Sequence, residues 1–466
     1  MPWFGFNFVK DQKKLLDKYG DVMYPLKEAV KQHPSANAFL VQQGPLVILT
    51  LAGPDHIKEF SNSNITSFDR IHNQQFPDPL MKNSLATLTG DDWRLHRKIF
   101  ADSFRVALFE KNVSDNFETT IEFFQKISLQ EMKEFSPRDQ LRKIFSTIVG
   151  QTFIGEGLDK SMIEETSAFP YLFEAMSDLA QATKTPLFVL PVPENMKKLL
   201  IRPYGRFCAR IRTFQKLMLR IIRETRERTE SDPNREGRSI IEKVLRVQKQ
   251  YKEVITDLDD EATASEFIGL MHAGIELTTV LLTITLYYLS LYPDLVKELV
   301  DEVHEAIPDG KVTSIDQLNS LDLMHSVLKE VLRLHPLCGF TAKEAVRDIR
   351  IVDLEIKKGD YVGIAIQAVS SNPEYWEEPE KFNPWRFVKG AAATNQEPFA
   401  FLGFSTGMRN CIGQHFAMIE AKSILSAFLT IFDFKPVPGY KLKLAFKGVL
   451  EPVDPVKLIL TRKLGS

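Results

Sequence analysis

Cys411 lies in the run Phe404-Ser405-Thr406-Gly407-Met408-Arg409-Asn410-Cys411-Ile412-Gly413, where type and spacing suit the presentation of a thiolate to a metal. Glycine takes backbone conformations closed to other residues, so Gly407 and Gly413 let the loop fold tightly and lie flat against a planar group. Ile412, Phe416, Ile419 and Leu425 then recur at helical spacing, which sets Cys411 at the N-terminus of a helix. Unsatisfied N–H groups and the dipole there favour negative charge and keep the sulfur a thiolate. Arg409, a permanent cation with a planar fork of donors, is matched to a carboxylate. An isolated cysteine in a turn is usually a small core residue, but so many specified neighbours argue against that here.

Other side chains could also do chemistry. Glu330 and Arg333, in Lys-Glu-Val-Leu-Arg-Leu-His-Pro, lie at i and i+3 and share a helix face. Val331, Leu332 and Leu334 make that helix apolar, and Arg386 follows in Phe-Asn-Pro-Trp-Arg-Phe. Two arginines can satisfy one buried carboxylate, so a structural cluster of Glu330, Arg333 and Arg386 is expected. Trp93 and Arg97, one helical turn apart, offer an indole N–H and a guanidinium, both donors for a carboxylate. Ala273-Gly274 leaves a notch in a long apolar segment, with the acid Glu276 just beyond it. Such a notch admits either a bulky ligand or a closely packed helix.

The elements that must position these groups are mainly helical. Helical periodicity covers 93–155, 200–230, 257–308 and 314–334, and the best-marked helix runs from about 257 to 290, capped by Thr256 with acids in its first turn. The β portion is small: two runs over 38–52 joined at Gln-Gly-Pro, and a strand-like stretch over 348–366. Composition is that of a globular protein with a large core, 44% hydrophobic and 26% charged. A net charge of -2 gives no reason to expect nucleic acid. The three cysteines, Cys208, Cys338 and Cys411, are too few for a disulfide scaffold and form no CxxC zinc pair. The longest uncharged run, 277–293, is shorter than the roughly 20 apolar residues of a membrane span and reads as a core helix.

The run F-x-x-G-x-R-x-C-x-G resembles the haem-binding loop of the cytochrome P450 superfamily, with every defining position filled. The E-x-x-R of Glu330 and Arg333, the segment carrying Arg386 and the W-x-x-x-R of Trp93 and Arg97 resemble further family elements, in the family's order. The resemblance implies one catalytic domain over 1–466, mainly α with a small β portion, enclosing haem b (iron protoporphyrin IX) with Cys411 on the iron. Phe404, Gly407, Arg409 and Gly413 would then form the haem loop, and Trp93, Arg97 and Arg409 would reach its propionates. Lys343 stands where the family usually has another propionate-binding arginine, and it gives charge without a bidentate fork.

Ala273-Gly274-Ile275-Glu276-Leu277-Thr278-Thr279 is similar to the family's oxygen-activation motif, with Leu277 in place of the usual threonine. The implied function is a haem-thiolate monooxygenase, in which Glu276 with water, Thr278 or a substrate hydroxyl supplies protons to bound dioxygen. The alternative is peroxide-dependent rearrangement or peroxygenase chemistry, in which proton relay matters less. Thr278 lies about 100° further round the helix, so its use would need a local bulge or water.

The resemblance also places a substrate pocket beside the notch and after Pro336. Met271, His272, Ala273, Gly274, Ile275 and Leu277 are expected from the long helix. Leu337, Cys338, Gly339, Phe340 and Thr341 follow Pro336, and Phe76 lies in the loop before Trp93. These residues are mainly apolar, so a lipophilic substrate is expected. Electrons must come from a partner such as an NADPH-dependent P450 reductase, with Lys98, Lys389 and Lys422 candidates for its docking face. The apolar, proline-rich stretch 185–193, followed by Lys197, Lys198, Arg202 and Arg206, is expected to rest on a membrane. A monomer on the cytoplasmic face of the endoplasmic reticulum is implied, with an N-terminal anchor missing ahead of the sequence, or else a cytoplasmic protein.

Overall fold

The Gln-Gly-Pro break returns the chain on itself: strands Ala38–Gln43 and Leu46–Leu51 pair antiparallel, with Phe39 opposite Thr50 and Val41 opposite Ile48. Alternate residues Phe39 and Val41, and Ile48 and Thr50, are buried, as the two-residue period of a strand demands. The computed structural model describes the whole chain except residues 1–2, 6–7, 20, 22, 44–45, 70–83, 105–109, 111, 156–157, 159–160, 164, 184, 190–192, 233–236, 251–258, 389–398, 447–448 and 464–466. Two compact units are distinguished, one of residues 1–71, 113–142 and 277–466, the other of residues 72–112 and 143–276.

The first unit holds a six-stranded sheet in the order Trp3–Gly5, Ala38–Gln43, Leu46–Leu51, Tyr361–Ile364, Thr341–Ala345, Phe68–Asp69. The stretch 348–366 is not one strand. It divides into Ile349–Ile351 and Leu354–Ile356, a hairpin of their own, and Tyr361–Ile364, which joins the main sheet, while Ile366 opens a short helix. The reversals at Val352 and Gly359, both with positive φ, break what periodicity alone reads as continuous. Helical periodicity over 314–334 likewise divides into Ile315–Asn319 and Asp322–Leu334. The second begins where Leu323 and Met324 N–H donate to Glu302, at 2.6 and 2.9 Å, a cap supplied from another helix.

In the second unit, Ala168–Ala182 packs against the 30-residue helix Arg202–Ser231. Buried Asp178 joins them, accepting from Arg206 at 2.9 and 2.6 Å and also from Arg210. Helix Ile240–Gln250 packs on helix Gly90–Ser103 and on a π-helical turn, Gly150–Ile154, that ends the helix Pro137–Val149.

The long helix runs Asp260–Leu291, beginning a turn later than the sequence suggests. Its cap is Asp259, whose carboxylate accepts from Ala262 N–H at 2.7 Å. Thr256 lies outside the described residues. Among those described, this helix alone is long and apolar enough to cross a membrane, and 67% of its most apolar stretch is buried, so it is a core helix.

Candidate active site

In the first unit the cysteine loop is held by its own backbone. Cys411 N–H donates to Phe404 O at 2.9 Å, Ser405 N–H to Leu402 O at 2.9 Å and Asn410 N–H to Gly407 O at 3.1 Å. Gly407 has φ +71°, and a Cβ there would stand 2.9 Å from Ser61 Cβ and 3.0 Å from Ser61 O. Only glycine fits this turn against the helix Pro54–Ser67. Gly413 differs from expectation: its φ of -89° is open to any residue. Its Cβ direction instead meets no atom within 4 Å, so glycine serves here to leave space beside the cysteine. The helix Gln414–Ile431 begins just after, and Cys411 is exposed and in no disulfide.

A second thiol of this unit lies near the first. Cys338 is free and exposed, yet burial pushes its pKa up, with Cys411 near enough to add to the shift. An accessible soft ligand and clear space over Gly413 fit a planar group that carries a thiolate-binding metal. Phe340 and Thr341 are half-buried, and Lys343, on strand Thr341–Ala345, is half-buried opposite Val362. Gly339 is not open to a ligand: a Cβ there would meet Met23 Cε at 2.7 Å. Leu337 is buried, and its carbonyl accepts from Leu450 N–H at 2.9 Å.

The expected Glu-Arg-Arg cluster forms. Glu330 takes both Nε and Nη2 of Arg333, at 2.7 and 2.9 Å, and Arg386 Nε at 3.3 Å. Asn383 N–H adds a donor at 2.9 Å. Arg333 Nη1 donates to the carbonyls of Ser370 and Pro379, at 2.7 and 2.8 Å, and Trp376 stacks 5.0 Å from its guanidinium. Glu330 and Arg333 are both fully buried, and such charges persist only when satisfied this completely.

In the second unit Trp93, buried, and Arg97, half-buried, lie on helix Gly90–Ser103 as their spacing requires. The Gly274 side of the notch is packing: a Cβ there would sit 3.9 Å from both Val149 and Phe153. Met271 and Ile275, also expected at the pocket, are fully buried. Ala273 is exposed and Leu277, four residues on, is half-buried, so these two mark the accessible stripe of the long helix. The helix is regular through this segment, with no bulge, and Thr278 is buried about 100° away from Leu277. With no bulge, a part for Thr278 in proton delivery would need water to bridge the gap. Glu276 is buried and His272 half-buried. Phe76 lies outside the described residues.

One buried pair near Trp93 and Arg97 was not singled out from the sequence. His96, between Trp93 and Arg97, and Glu266, on the long helix, are both buried and face each other at 3.6 Å. The visible signal was an acid inside an otherwise apolar run, two turns before Ala273.

Several expected surface cations are internal. Lys422 is buried and donates to Leu318 O. Lys197 is buried, donating to Phe188 O at 3.0 Å with its ammonium 5.7 Å from the Phe188 ring. Both are long stems whose charged ends reach a carbonyl instead of water. Lys98 is exposed, and Lys389 lies outside the described residues.

The comparisons accord with this geometry. The cytochrome P450 family model matches residues 20–460. Mouse cytochrome P450 3A16 is 24% identical over 430 residues, 89% of this chain and 82% of that protein. Mouse cytochrome P450 3A13 is 36% identical over 212 residues, 44% of this chain and 41% of that protein. The human cytochrome P450 3A5 is 34% identical over 211 residues, 45% of this chain and 42% of that protein. Among solved structures, the haem domain of cytochrome P450DA superposes with a TM-score of 0.80 at 20% identity, covering 99% of this chain and 97% of that one. The chain belongs to the cytochrome P450 family of haem-thiolate monooxygenases.

Proposed function

We propose that the chain acts as one catalytic domain that binds iron protoporphyrin IX through Cys411 and inserts one oxygen atom of dioxygen into a lipophilic small molecule. A separate NADPH-dependent reductase supplies the electrons. The observation that carries this reading is the cysteine loop, where backbone hydrogen bonds hold an exposed thiol beside clear space. When bound, the haem supplies an iron centre at which dioxygen is reductively activated. Trp93, Arg97 and Arg409 would hold its propionates, with Lys343 adding charge. Leu277, Cys338 and Phe340 would give substrate apolar surroundings that favour lipophilic molecules. Glu276 passes protons inward through water or a substrate hydroxyl, because Leu277 has no hydroxyl to offer.

Leu277 on a regular helix also favours a second reading, in which a peroxide already carries the O–O bond and no proton relay is needed. Turnover with NADPH and a reductase, set beside turnover with an organic hydroperoxide, separates the two. The monooxygenase reading expects product from the first, with Leu277→Thr lowering the peroxide that leaks from it. Product from hydroperoxide alone would overturn that reading in favour of the second.

Membrane attachment is supported by the short helix Glu194–Leu200, which exposes Met196, Leu199 and Leu200 and follows the turn Pro186–Val189. A monomer on the cytoplasmic face of the endoplasmic reticulum, with no nucleic-acid partner, fits this surface and the near-neutral charge.

A further inference from the structure

We infer that His96 and Glu266 are positioning residues for cofactor retention: their buried pair sets the face of helix Gly90–Ser103 that carries Trp93 and Arg97. The inference rests on the haem reading above. Trp93, His96 and Arg97 stand at i, i+3 and i+4, so they share one helical face. His96 is 1% exposed, and its Nδ1 is buried without a hydrogen bond among the described residues, 3.6 Å from Glu266 Oε1.

Glu266 does more than face His96. It is 2% exposed, and the same Oε1 accepts from Leu85 N–H at 2.5 Å. Leu85 belongs to a tight turn closed by Thr87 N–H to Ser84 O at 2.8 Å and Ser84 N–H to Thr87 Oγ1 at 2.9 Å. One carboxylate thus joins the long helix, the helix of Trp93 and the turn that leads into it. Burial pushes Glu266 up, and His96 and Leu85 oppose that shift, so the pair is held in a site costly for charge. An apolar pair of similar volume would stabilise the packing at least as well, but it would not set one register.

The test is the rate at which the reconstituted protein gives up haem to an excess of a haem-scavenging apoprotein. His96→Leu is expected to lose haem about ten times faster than the parent, as removal of a supporting partner does at other metal sites. His96→Asn, which can place an N–H donor where Nδ1 stands, is expected to restore most of the retention. In an Arg97→Ala background the His96→Leu effect is expected to shrink, because the histidine acts through its neighbour. Equal retention by His96→Leu and parent, equal loss by the Leu and Asn variants, or an undiminished effect without Arg97 would each overturn the inference. Failure of the parent to take up any haem would overturn the haem reading itself.

Discussion

Glu420, on the helix that follows the cysteine, is buried and has one hydrogen-bonding partner, Asn116 Nδ2 at 2.8 Å. Its other oxygen, Oε2, lacks a partner among the described residues. Burial pushes its carboxyl up to about 7, against the pull of Asn116. A raised carboxyl keeps its proton in the folded protein after the unfolded chain has lost it. Its stabilising share is therefore full below the ordinary carboxyl range and is lost as pH rises through about 7. The difference amounts to roughly 3 kcal/mol. Denaturant unfolding at pH 5 and pH 8 checks this: Glu420→Gln is expected to flatten the fall in stability seen in the parent, and an equal fall in both would refute it. At this scale the sequence was most legible where chemistry depends on local spacing, as in the Cys411 loop and the Glu330 and Arg333 pair. It was less legible where the cause is three-dimensional. Gly413 is needed for space and not for its φ, and Lys422 and Lys197 turn inward to carbonyls that no local pattern reveals.

A helix with one apolar stripe declares its buried face in the sequence, and one apolar all round does not. Arg202–Ser231 alternates charged and buried faces, and its limits follow the pattern closely. Asp260–Leu291 is apolar on most sides, so periodicity could not tell Met271 and Ile275, in the core, from Ala273 and Leu277, on the accessible stripe. The strand Thr341–Ala345 is not legible as a strand in the sequence, because its polar residues gain their place by pairing with Tyr361–Ile364. The short helix Glu194–Leu200 yields a prediction of its own. Leu199 is 79% exposed and Leu200 53%, and burying a leucine contributes about 1.5–3 kcal/mol. Replacing both with Asp is expected to weaken binding to phospholipid vesicles about ten-fold or more in a flotation assay. Unchanged flotation would show that this helix does not touch the bilayer.

Across the whole molecule, the fold class could be read because the family's elements occur in order, each with a physical reason for its residues. The arrangement is asymmetric in how much chemistry it declares. On the cysteine side each defining residue is present and the loop is held by its backbone. On the side of the long helix, Leu277 stands where the family's motif has a threonine, so in the proposed function Glu276 would work through water or substrate. The central claim is that Cys411 presents a thiolate to haem iron. The most direct measurement is the absorption spectrum of the purified, haem-loaded protein reduced under carbon monoxide, beside that of Cys411→Ser. A red-shifted Soret band that marks thiolate ligation is expected in the parent and absent from the variant. A parent without that band, or a Cys411→Ser variant that keeps it, would contradict the account.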